Sequence, residues 1–382
     1  MKKEKVLHII TVSFVINHFF GKQFLYLNAK TENEYHLGCS SSKEFLALSE
    51  PLGYIPFEVE ITRNISPIKD LKAIIKIYKY IKANNIDVVV GHTPKGGMVA
   101  MIASFFANVS KRVYFRHGII YETSKGFKRF LLKNIDAITG SFATVVVCVS
   151  KSVKERSEKD KLNNPKKNVI LGLGTCNGID TENKFNPEKA DFEKVEAIKK
   201  NLEIEDGDKV LGYVGRIVKD KGIEELIDAW KIIKPQFPNV KLLLVGPIEE
   251  KDSISEEAKT IISTDKSIIF TDFVLDSAPY FSLMDIFILP TYREGFPTVS
   301  LEASSMEIPV IITKATGCTE SIQEDITGVF ITHEPKNIAE KILFYLNNDE
   351  IAKQHGKNGR KFVRANFEES KIWNHISDNL KY

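Results

Sequence analysis

The chain has 382 residues, of which 43% are hydrophobic, and this length favours two domains over one. Its four cysteines lie far apart, which excludes a disulfide scaffold and a C-x-x-C metal site and fits a reducing, cytosolic compartment. The net charge of +3 is divided unevenly: residues 1–180 carry 27 Lys and Arg against 15 Asp and Glu, and residues 181–382 carry 26 against 35. A basic first half predicts an anionic partner for that half.

The apolar run Val6–Ile16 near the N-terminus is compatible with a signal peptide or with a buried first strand. His8 interrupts the run and no small-x-small cleavage site follows it, so the strand is the favoured interpretation. No stretch of the chain reaches the roughly 18 uninterrupted apolar residues that a membrane-spanning helix requires.

Short runs rich in Val, Ile and Leu alternate with helical patterns along the chain. Such runs are typical of parallel strands covered on both faces, so the sequence predicts two α/β domains, each a doubly wound parallel sheet. Helices are predicted at Ile68–Ala83 and Gly222–Ile233. Strands are predicted at Val6–Thr11, Asp87–Val90, Arg112–Phe115, Thr144–Val149, Asn168–Leu171, Lys209–Val214, Val240–Val245, Ile268–Phe270, Ile286–Leu289, Val310–Ile312 and Gly328–Ile331.

The domain boundary is expected within Asp180–Asp191, where Asn186-Pro187 and a charged stretch interrupt the pattern. We therefore assign residues 1–185 to an N-terminal domain and 186–365 to a C-terminal domain. A long helical segment is predicted at Glu350–Lys381, and its last part, residues 366–382, is expected to return to the first domain.

The most informative pattern follows the predicted strand that ends at Leu289. A loop with Glu294 and Gly295 leads to a helix predicted to begin near Thr298, and Pro297 before its first turn fits that start. A helix N-terminus presents unpaired N–H groups to an anion, which suits a diphosphate. Glu294 and Glu302 are placed to face one ligand, but taken alone the two residues are better explained as a helix cap and a solvated glutamate.

A second cluster follows the strand Lys209–Val214. Gly215 permits close backbone approach, and Arg216 and Lys221 are cations suited to a diphosphate. Negative charge develops on a nucleoside diphosphate as it leaves, and preorganised cations stabilise that charge. Lys219, by contrast, is expected to be a solvated loop residue. Asp206-Gly207-Asp208 has the D-x-D form of some metal sites but precedes its strand, so we expect a turn there and no metal site.

These motifs resemble the donor site of the family-4 retaining glycosyltransferases of the GT-B fold, in which two Rossmann-like domains face each other across a cleft. First-half motifs resemble the branch of that family that makes bacterial capsule and O-antigen polysaccharides. The residues that carry the resemblance are Gly215-Arg216, Lys221-Gly222, Glu294 to Pro297 with Glu302, Gly172 to Asp180 with Phe185, His92 to Gly97, and Arg116-His117-Gly118.

The resemblance implies a role for each matching residue. Arg216 and Lys221 would hold the diphosphate, Glu294 the donor sugar and Glu302 the ribose. His117 would reach the donor sugar. The implied catalytic residues are thus His117, Arg216, Lys221 and Glu294. The implied donor-binding residues are Gly21, Gly215, Phe273, Val274, Gly295, Phe296, Pro297, Thr298, Val299 and Glu302, with Phe273 and Val274 beside the base.

The implied function is metal-independent, retaining transfer of a hexose or N-acetylhexosamine from a UDP-sugar to a polyprenyl-diphosphate-linked saccharide. No cofactor and no nucleic-acid partner is expected. Two rival functions stay open: a non-hydrolysing UDP-sugar epimerase, and an inactive sugar-nucleotide-binding scaffold protein.

Two basic, partly apolar segments of the first half bear on localisation. Lysines recur at three- and four-residue spacing from Lys69 to Lys82, and residues 124–133 mix cations with large apolar side chains. Ordinary solvated surface helices explain these patterns. The alternative, which we adopt as a hypothesis, is a cytoplasmic protein peripheral to the inner face of the cell membrane and in contact with anionic lipid.

Overall fold

The computed structural model describes residues 3–64, 66–250 and 252–380. The chain divides into two compact units, which are described separately below. The first unit comprises Met1–Gly178 with Glu369–Tyr382, and the second comprises Ile179–Glu368. The units therefore meet along the chain at 178/179 and 368/369, a few residues from the boundaries expected at 185/186 and 365/366.

The first unit alternates strands and helices from β1 to β7. Its elements are β1 Lys5–Ile9, α1 Ile16–Phe19, α2 Gln23–Thr31, β2 Glu34–Cys39, α3 Lys43–Ala47, α4 Ser49–Leu52, β3 Ile55–Glu58, α5 Pro67–Asn84, β4 Val88–His92, α6 Pro94–Phe106, β5 Lys111–Arg116, α7 Gly126–Phe142, β6 Val145–Cys148, α8 Lys151–Lys159 and β7 Asn168–Val169.

The seven strands form one parallel sheet in the order β3-β2-β1-β4-β5-β6-β7. The strand interpretation of the N-terminal run is confirmed, because β1 lies inside the sheet between β2 and β4 and its residues Val6 to Ile9 are buried. Helix α6 packs against both α5 and α7. Helix α5 buries Ala73, Ile77 and Ile81 at helical spacing, and each buried isoleucine contributes about 1.5–3 kcal/mol of hydrophobic stabilisation.

The sequence patterns did not predict β2 and β3. Strand β2 contains the polar residues Glu34 and His36, yet it is buried because His36 hydrogen-bonds both Glu34 and the Tyr80 hydroxyl. Strand β3 contains Pro56, which removes a backbone donor. Proline is tolerated there because β3 is the edge strand of the sheet.

The second unit repeats the alternation. Its elements are α9 Phe192–Asn201, β8 Lys209–Val214, α10 Ile223–Ile233, β9 Val240–Val245, α11 Glu256–Thr264, β10 Ile268–Phe270, α12 Ala278–Phe281, β11 Ile286–Leu289, α13 Thr298–Ser305, β12 Val310–Thr313, β13 Gly328–Ile331, α14 Pro335–Leu346 and α15 Asp349–Asn366, and the chain then ends with α16 Glu369–Leu380 in the first unit.

The second sheet is also parallel, with the order β10-β9-β8-β11-β12-β13. All six strands predicted in this half are confirmed to within one residue. Its core surrounds the buried side chains of Trp230 and Phe287 and the middle of β9. Asp206 pairs with Lys199, and Asp208 accepts from the Glu205 backbone N–H at 2.9 Å, so the D-x-D segment forms the expected turn before β8.

The prediction of one long C-terminal helix is wrong, because α15 ends at Asn366 and α16 begins at Glu369. Phe367 is buried, and its carbonyl accepts a hydrogen bond from the Ile179 N–H at 2.8 Å, which diverts the backbone from helical pairing. Helix α16 packs on α2 of the first unit, where the Trp373 indole N–H donates to Asn177 at 2.8 Å. Among the described residues, no helix combines the length and apolarity needed to cross a bilayer.

Candidate active site

In the second unit, the two glycine-containing loops predicted from sequence follow adjacent strands. Strands β8 and β11 are neighbours at the centre of the sheet, where the strand order reverses, and both loops leave from their carboxyl ends. In open α/β sheets this switch point is where ligands bind. The fold therefore brings the clusters around Lys221 and Glu294 to one edge of the sheet.

The side chains of Lys221 and Glu294 form an ion pair, with side-chain exposures of 15% and 16%. The loops that carry them are joined by backbone contacts. The Tyr292 N–H donates to the Asp220 carbonyl at 3.0 Å, and the Arg293 guanidinium pairs with the Asp220 carboxylate at 2.8 Å. The pair is thus held by a rigid frame rather than by two independent loops.

Two glycines allow these loops to approach closely. Gly222 has φ of 71°, and a Cβ there would lie 2.1 Å from the Pro290 carbonyl oxygen. Gly317, with φ of 87°, packs on the Glu294 backbone, where a Cβ would lie 2.4 Å from the Glu294 carbonyl oxygen. The Glu294 N–H also donates to the Thr316 carbonyl at 2.9 Å. Larger residues at either glycine would displace the backbone that positions Lys221 or Glu294.

Arg216 lies on the β8 loop but its guanidinium does not join that ion pair. It pairs instead with Glu249, with 2.8 Å between Nη1 and Oε2, and its side chain is 48% exposed. Its backbone is fixed, because the buried Tyr213 hydroxyl donates to the Arg216 carbonyl at 2.8 Å. A ligand that binds the Arg216 guanidinium must therefore compete with Glu249. The sequence patterns did not indicate this partner.

Helix α13 begins at Thr298, as predicted, and Pro297 at its N-cap provides no side-chain hydrogen bond. Its buried residues face the core, whereas Thr298, Val299 and Glu302 lie on the half-buried opposite side. Thr298 and Glu302 are one turn apart and share a face. The helix therefore presents an N-terminus without a side-chain cap, and a carboxylate near it.

Glu302 is the most perturbed carboxyl group of this edge. Burial raises its pKa to about 7, and the charge of Lys184 offsets only part of that rise. Within the described part of the chain, its carboxylate forms no hydrogen bond or ion pair. A desolvated carboxylate without a partner is well suited to accept hydrogen bonds from a ligand's hydroxyl groups.

The other proposed donor-binding residues of the second unit also lie at this edge. Gly215 directly follows β8, and Gly295 and Phe296 lie in the loop before α13. The Phe296 ring packs on Phe367 at 5.2 Å between centroids. Phe273 and Val274 follow β10, and Phe273 is 67% exposed.

In the first unit, His117 directly follows β5 and is half-buried. Its ring stacks on Phe19 with 4.3 Å between centroids, and its Nε2 lies 3.1 Å from Nδ1 of His92. Gly21 lies just after α1, with φ of 48° and its N–H donating to the Ile16 carbonyl at 3.3 Å. The neighbour of His117 is structural: Arg116 is wholly buried, pairs with Asp136 and donates to the Ser157 hydroxyl.

Sequence reasoning missed the contacts between His117 and other histidines. The sequence identifies His92 only as part of a motif and His8 only as an interruption of an apolar run. Both are buried: His92 ends β4, the neighbour of β5, and His8 lies on β1, on the other side of β4. A histidine inside an otherwise apolar strand is the sequence signal that could have indicated these contacts. In the described ranges of the chain, no group of three or more His, Cys, Asp or Glu side chains is placed to hold a metal ion.

Comparisons with known proteins agree with this architecture. Residues 29–183 match the family described as Glycosyltransferase Family 4, and residues 194–362 match Glycosyl transferases group 1. The capsular polysaccharide biosynthesis glycosyltransferase CapM of Staphylococcus aureus is 34% identical over 378 residues, which cover 98% of this chain and 96% of CapM. The UDP-Gal:alpha-D-GlcNAc-diphosphoundecaprenol alpha-1,3-galactosyltransferase of Escherichia coli is 27% identical over 328 residues, 84% of this chain and 82% of that enzyme.

Among solved structures, Anabaena Alr3699/HepE in complex with UDP and glucose superposes with a TM-score of 0.80 at 19% identity, covering 99% of both chains. This likeness concerns the fold, which is that of the GT-B glycosyltransferases. Identity to CapM over nearly the whole of both chains extends the relationship to the family. The chain belongs to the family-4 glycosyltransferases of the GT-B fold.

Proposed function

We propose that this protein is a retaining glycosyltransferase of surface polysaccharide synthesis that transfers a hexose or N-acetylhexosamine from a UDP-sugar to a polyprenyl-diphosphate-linked saccharide. The observation that carries the proposal is the ion pair of Lys221 and Glu294 beside the N-terminus of α13, at the switch point of the second sheet. A cation and a helix N-terminus at one edge match the diphosphate of a sugar nucleotide, and the carboxylate beside them matches the hydroxyl groups of its sugar.

Each part of this arrangement has a distinct role in the proposal. Lys221 and Arg216 neutralise the diphosphate, on which charge develops as the glycosidic bond breaks. The N-terminus of α13 adds its N–H groups and its dipole. Glu294 accepts hydrogen bonds from the sugar hydroxyls, and Glu302 accepts those from the ribose. Because the side chains of Lys221 and Glu294 are adjacent, the diphosphate and the sugar of one donor can reach both, and their contacts with the donor replace the ion pair.

The resemblance to the retaining family suggests how configuration is preserved. The acceptor attacks from the side on which the diphosphate departs, and the departing phosphate takes the acceptor's proton. In that scheme Lys221 and Arg216 stabilise the leaving group directly, and we propose that no metal ion is needed. Transfer that proceeds at full rate in EDTA would support this, whereas loss of transfer restored by a divalent cation would contradict it.

The acceptor proposal is supported by the relatives and by the charge of the first half. CapM is named for capsular polysaccharide biosynthesis, and the Escherichia coli enzyme for an acceptor on diphosphoundecaprenol. Such acceptors reside in a membrane. We accordingly place this protein on the cytoplasmic face of the cell membrane, as a peripheral protein.

Helix α5 carries the surface that we assign to the membrane. Opposite its buried face it exposes an apolar stripe, Ile68, Leu71, Ile75 and Tyr78, at 75%, 57%, 46% and 37%. A stripe of exposed lysines, Lys69, Lys72, Lys76 and Lys79, repeats the same spacing one residue further on. Apolar side chains beside a row of cations are typical of helices that lie on anionic lipid.

Helix α7 carries a similar mixture on the same first unit. Phe127 is 77% exposed and Phe130 64%, with Lys125 and Lys128 exposed beside them. Both helices pack against α6.

The membrane proposal is tested by pelleting the protein with vesicles of phosphatidylglycerol and phosphatidylcholine, and with phosphatidylcholine alone. We expect binding to the anionic vesicles that weakens with salt, and its loss on combining Leu71→Ser with Ile75→Ser. Ile351→Ser, at an apolar residue on α15 that is 38% exposed, serves as the control. Binding that is indifferent to lipid charge and salt would refute the proposal.

The transferase proposal is tested with a panel of nucleotide sugars in EDTA, with thermal stability and released nucleotide as readouts. Stabilisation by UDP and by one UDP-sugar, with slow release of UDP, is the expected result. Conversion of that UDP-sugar into an epimer without acceptor would favour the epimerase instead. Binding without any turnover, even with lipid extracts as the acceptor source, would favour the scaffold protein.

A further inference from the structure

Three histidines of the first unit form a hydrogen-bonded chain that ends at His117. His8 lies on β1 and His92 ends β4, the next strand in the sheet, and His117 follows β5, the strand after that. Nδ1 of His8 lies 3.0 Å from Nε2 of His92, and Nδ1 of His92 lies 3.1 Å from Nε2 of His117. The chain thus runs across three adjacent strands to the carboxyl edge of the sheet.

Aromatic rings enclose this chain. The His8 and His92 rings stack with 5.2 Å between centroids, and His92 also stacks on Phe115 at 4.8 Å. Phe20 meets the edges of both imidazoles, at 5.4 Å from His8 and 5.0 Å from His92. Burial lowers the pKa of His8 to about 3 and holds the pKa of His92 well below its ordinary value. Both imidazoles are therefore neutral at physiological pH.

The tautomers of neutral imidazoles in such a chain are coupled to one another. A neutral ring carries one N–H, and each link between two rings needs one donor and one acceptor. If His92 is protonated on Nδ1, it donates to Nε2 of His117, so the proton of His117 must be on Nδ1. Nε2 of His92 then accepts a hydrogen bond from Nδ1–H of His8. If His92 is protonated on Nε2, all three protons are on Nε2. With all three rings neutral, they share one tautomer.

We propose that His92 is a positioning residue that, with His8 behind it, sets the tautomer and ring orientation of His117. The inference rests on the proposed function only in that His117 takes part in sugar transfer, as the family resemblance implies. The chain then decides whether Nδ1 of His117 donates or accepts a hydrogen bond. A group with a preset donor or acceptor role distinguishes sugar hydroxyls without reorganising during the reaction.

Nuclear magnetic resonance tests this coupling without substrate. In protein labelled with ¹⁵N-histidine, long-range proton–nitrogen correlations distinguish the Nδ1–H and Nε2–H tautomers. We expect His8, His92 and His117 to share one tautomer in the wild-type protein. In His92→Phe the group opposite Nε2 of His117 is lost, so the nitrogen shifts of His117 should change. Different tautomers among the three rings in the wild type, or an unchanged His117 in His92→Phe, would overturn the proposal.

Two further variants keep the test decisive. His36→Phe removes another buried imidazole of the same sheet, hydrogen-bonded to Tyr80 and Glu34, and should leave His117 unchanged. If His92→Phe does not fold, His8→Phe removes only the far link, and His92 and His117 should then still share one tautomer. Divergence of those two rings in His8→Phe would contradict the coupling.

Activity provides a second, separable readout. We expect His92→Phe to lower kcat about tenfold or more with little change in KM for the donor, the size seen when a group that orients a metal-bound histidine is removed. His36→Phe should leave both constants unchanged. Absence of turnover in the wild-type protein would count against the proposed function alone, because the shared tautomer is measured without any donor. A wild-type rate in His92→Phe would count against the positioning role.

Discussion

Glu302 offers the sharpest test of the site, because its ligand role and its effect on stability have opposite signs. Its pKa is raised from 4.5 to about 7. The folded protein therefore holds a proton that the unfolded chain has released between these values. Stability should fall as pH rises through that window and stay lower above it. We expect Glu302→Gln to remove this cost.

The size of this stability cost follows from the pKa shift of Glu302. A difference of about 2.5 pKa units corresponds to roughly 3 kcal/mol at pH 8, above the folded pKa, where the carboxyl group is ionised in both states. That value is a ceiling, since the glutamine amide must also be accommodated. Glu302→Gln should thus be more stable than the wild type at pH 8, with a difference that shrinks toward pH 4.5.

Urea unfolding followed by tryptophan fluorescence measures this effect in the second unit. The chain has two tryptophans, and Trp373→Phe leaves Trp230, which is buried in the second unit, as the only fluorophore. Glu340→Gln, at an exposed glutamate of α14, is the control and should stay within about 0.5 kcal/mol of the parent. A Glu302→Gln variant that is equally or less stable at pH 8 would refute the reasoning.

The same variant should bind nucleotide more weakly. If Glu302 accepts hydrogen bonds from the ribose, its replacement should weaken UDP binding roughly tenfold to a hundredfold, the usual range for a hydrogen bond to a charged group. Titration calorimetry at pH 8 measures this. A gain in stability together with unchanged affinity would show that Glu302 is desolvated but does not contact the ligand.

Three further predictions concern other residues. Lys221→Ala should lower kcat by about a hundredfold or more in the transfer assay while Lys219→Ala stays at the wild-type rate, and equal effects would contradict the site assignment. Glu249→Gln frees Arg216 from a half-exposed ion pair and should tighten UDP binding about twofold by calorimetry; weaker binding would show that the pair supports the site. The pKa of His8 is lowered from 6.5 to about 3, so the unfolded chain takes up a proton between pH 7 and pH 5 that the folded first unit does not. The free energy of unfolding of the first unit should therefore fall by about 2 kcal/mol over this range, measured by hydrogen exchange in β1, and His8→Phe should abolish this part of the fall.

The sequence predicted the second sheet better than the first for a physical reason. Strands β8 to β13 are apolar runs, so composition alone reveals them. Strand β2 keeps polar residues in the interior by pairing His36 with Glu34 and Tyr80, and β3 tolerates Pro56 only because it is an edge. Pairings of this kind join residues far apart in sequence, and local patterns do not contain them.

In the candidate site, too, local sequence patterns predict some features, and others arise only from tertiary packing. The loop residues around Gly215 and Glu294 could be found from residue type and spacing, since strands, turns and helix starts have local signals. The ion pair of Lys221 with Glu294, the competing contact of Arg216 with Glu249 and the desolvation of Glu302 arise from tertiary packing. The sequence thus predicted that these loops follow neighbouring strands, but not the electrostatic state of their side chains.

The division of the chain between the two units also has a consequence for biosynthesis. Helix α16 belongs to the first unit, yet about 190 residues of the second unit precede it in translation. At roughly 5–20 residues per second, the ribosome needs about 10 to 40 seconds to make that stretch. The surface of α2 that receives Trp373 remains uncovered throughout this interval. A released chain truncated after residue 368 should therefore present a completed second unit and an unfinished first one, and chaperones should preferentially bind the latter.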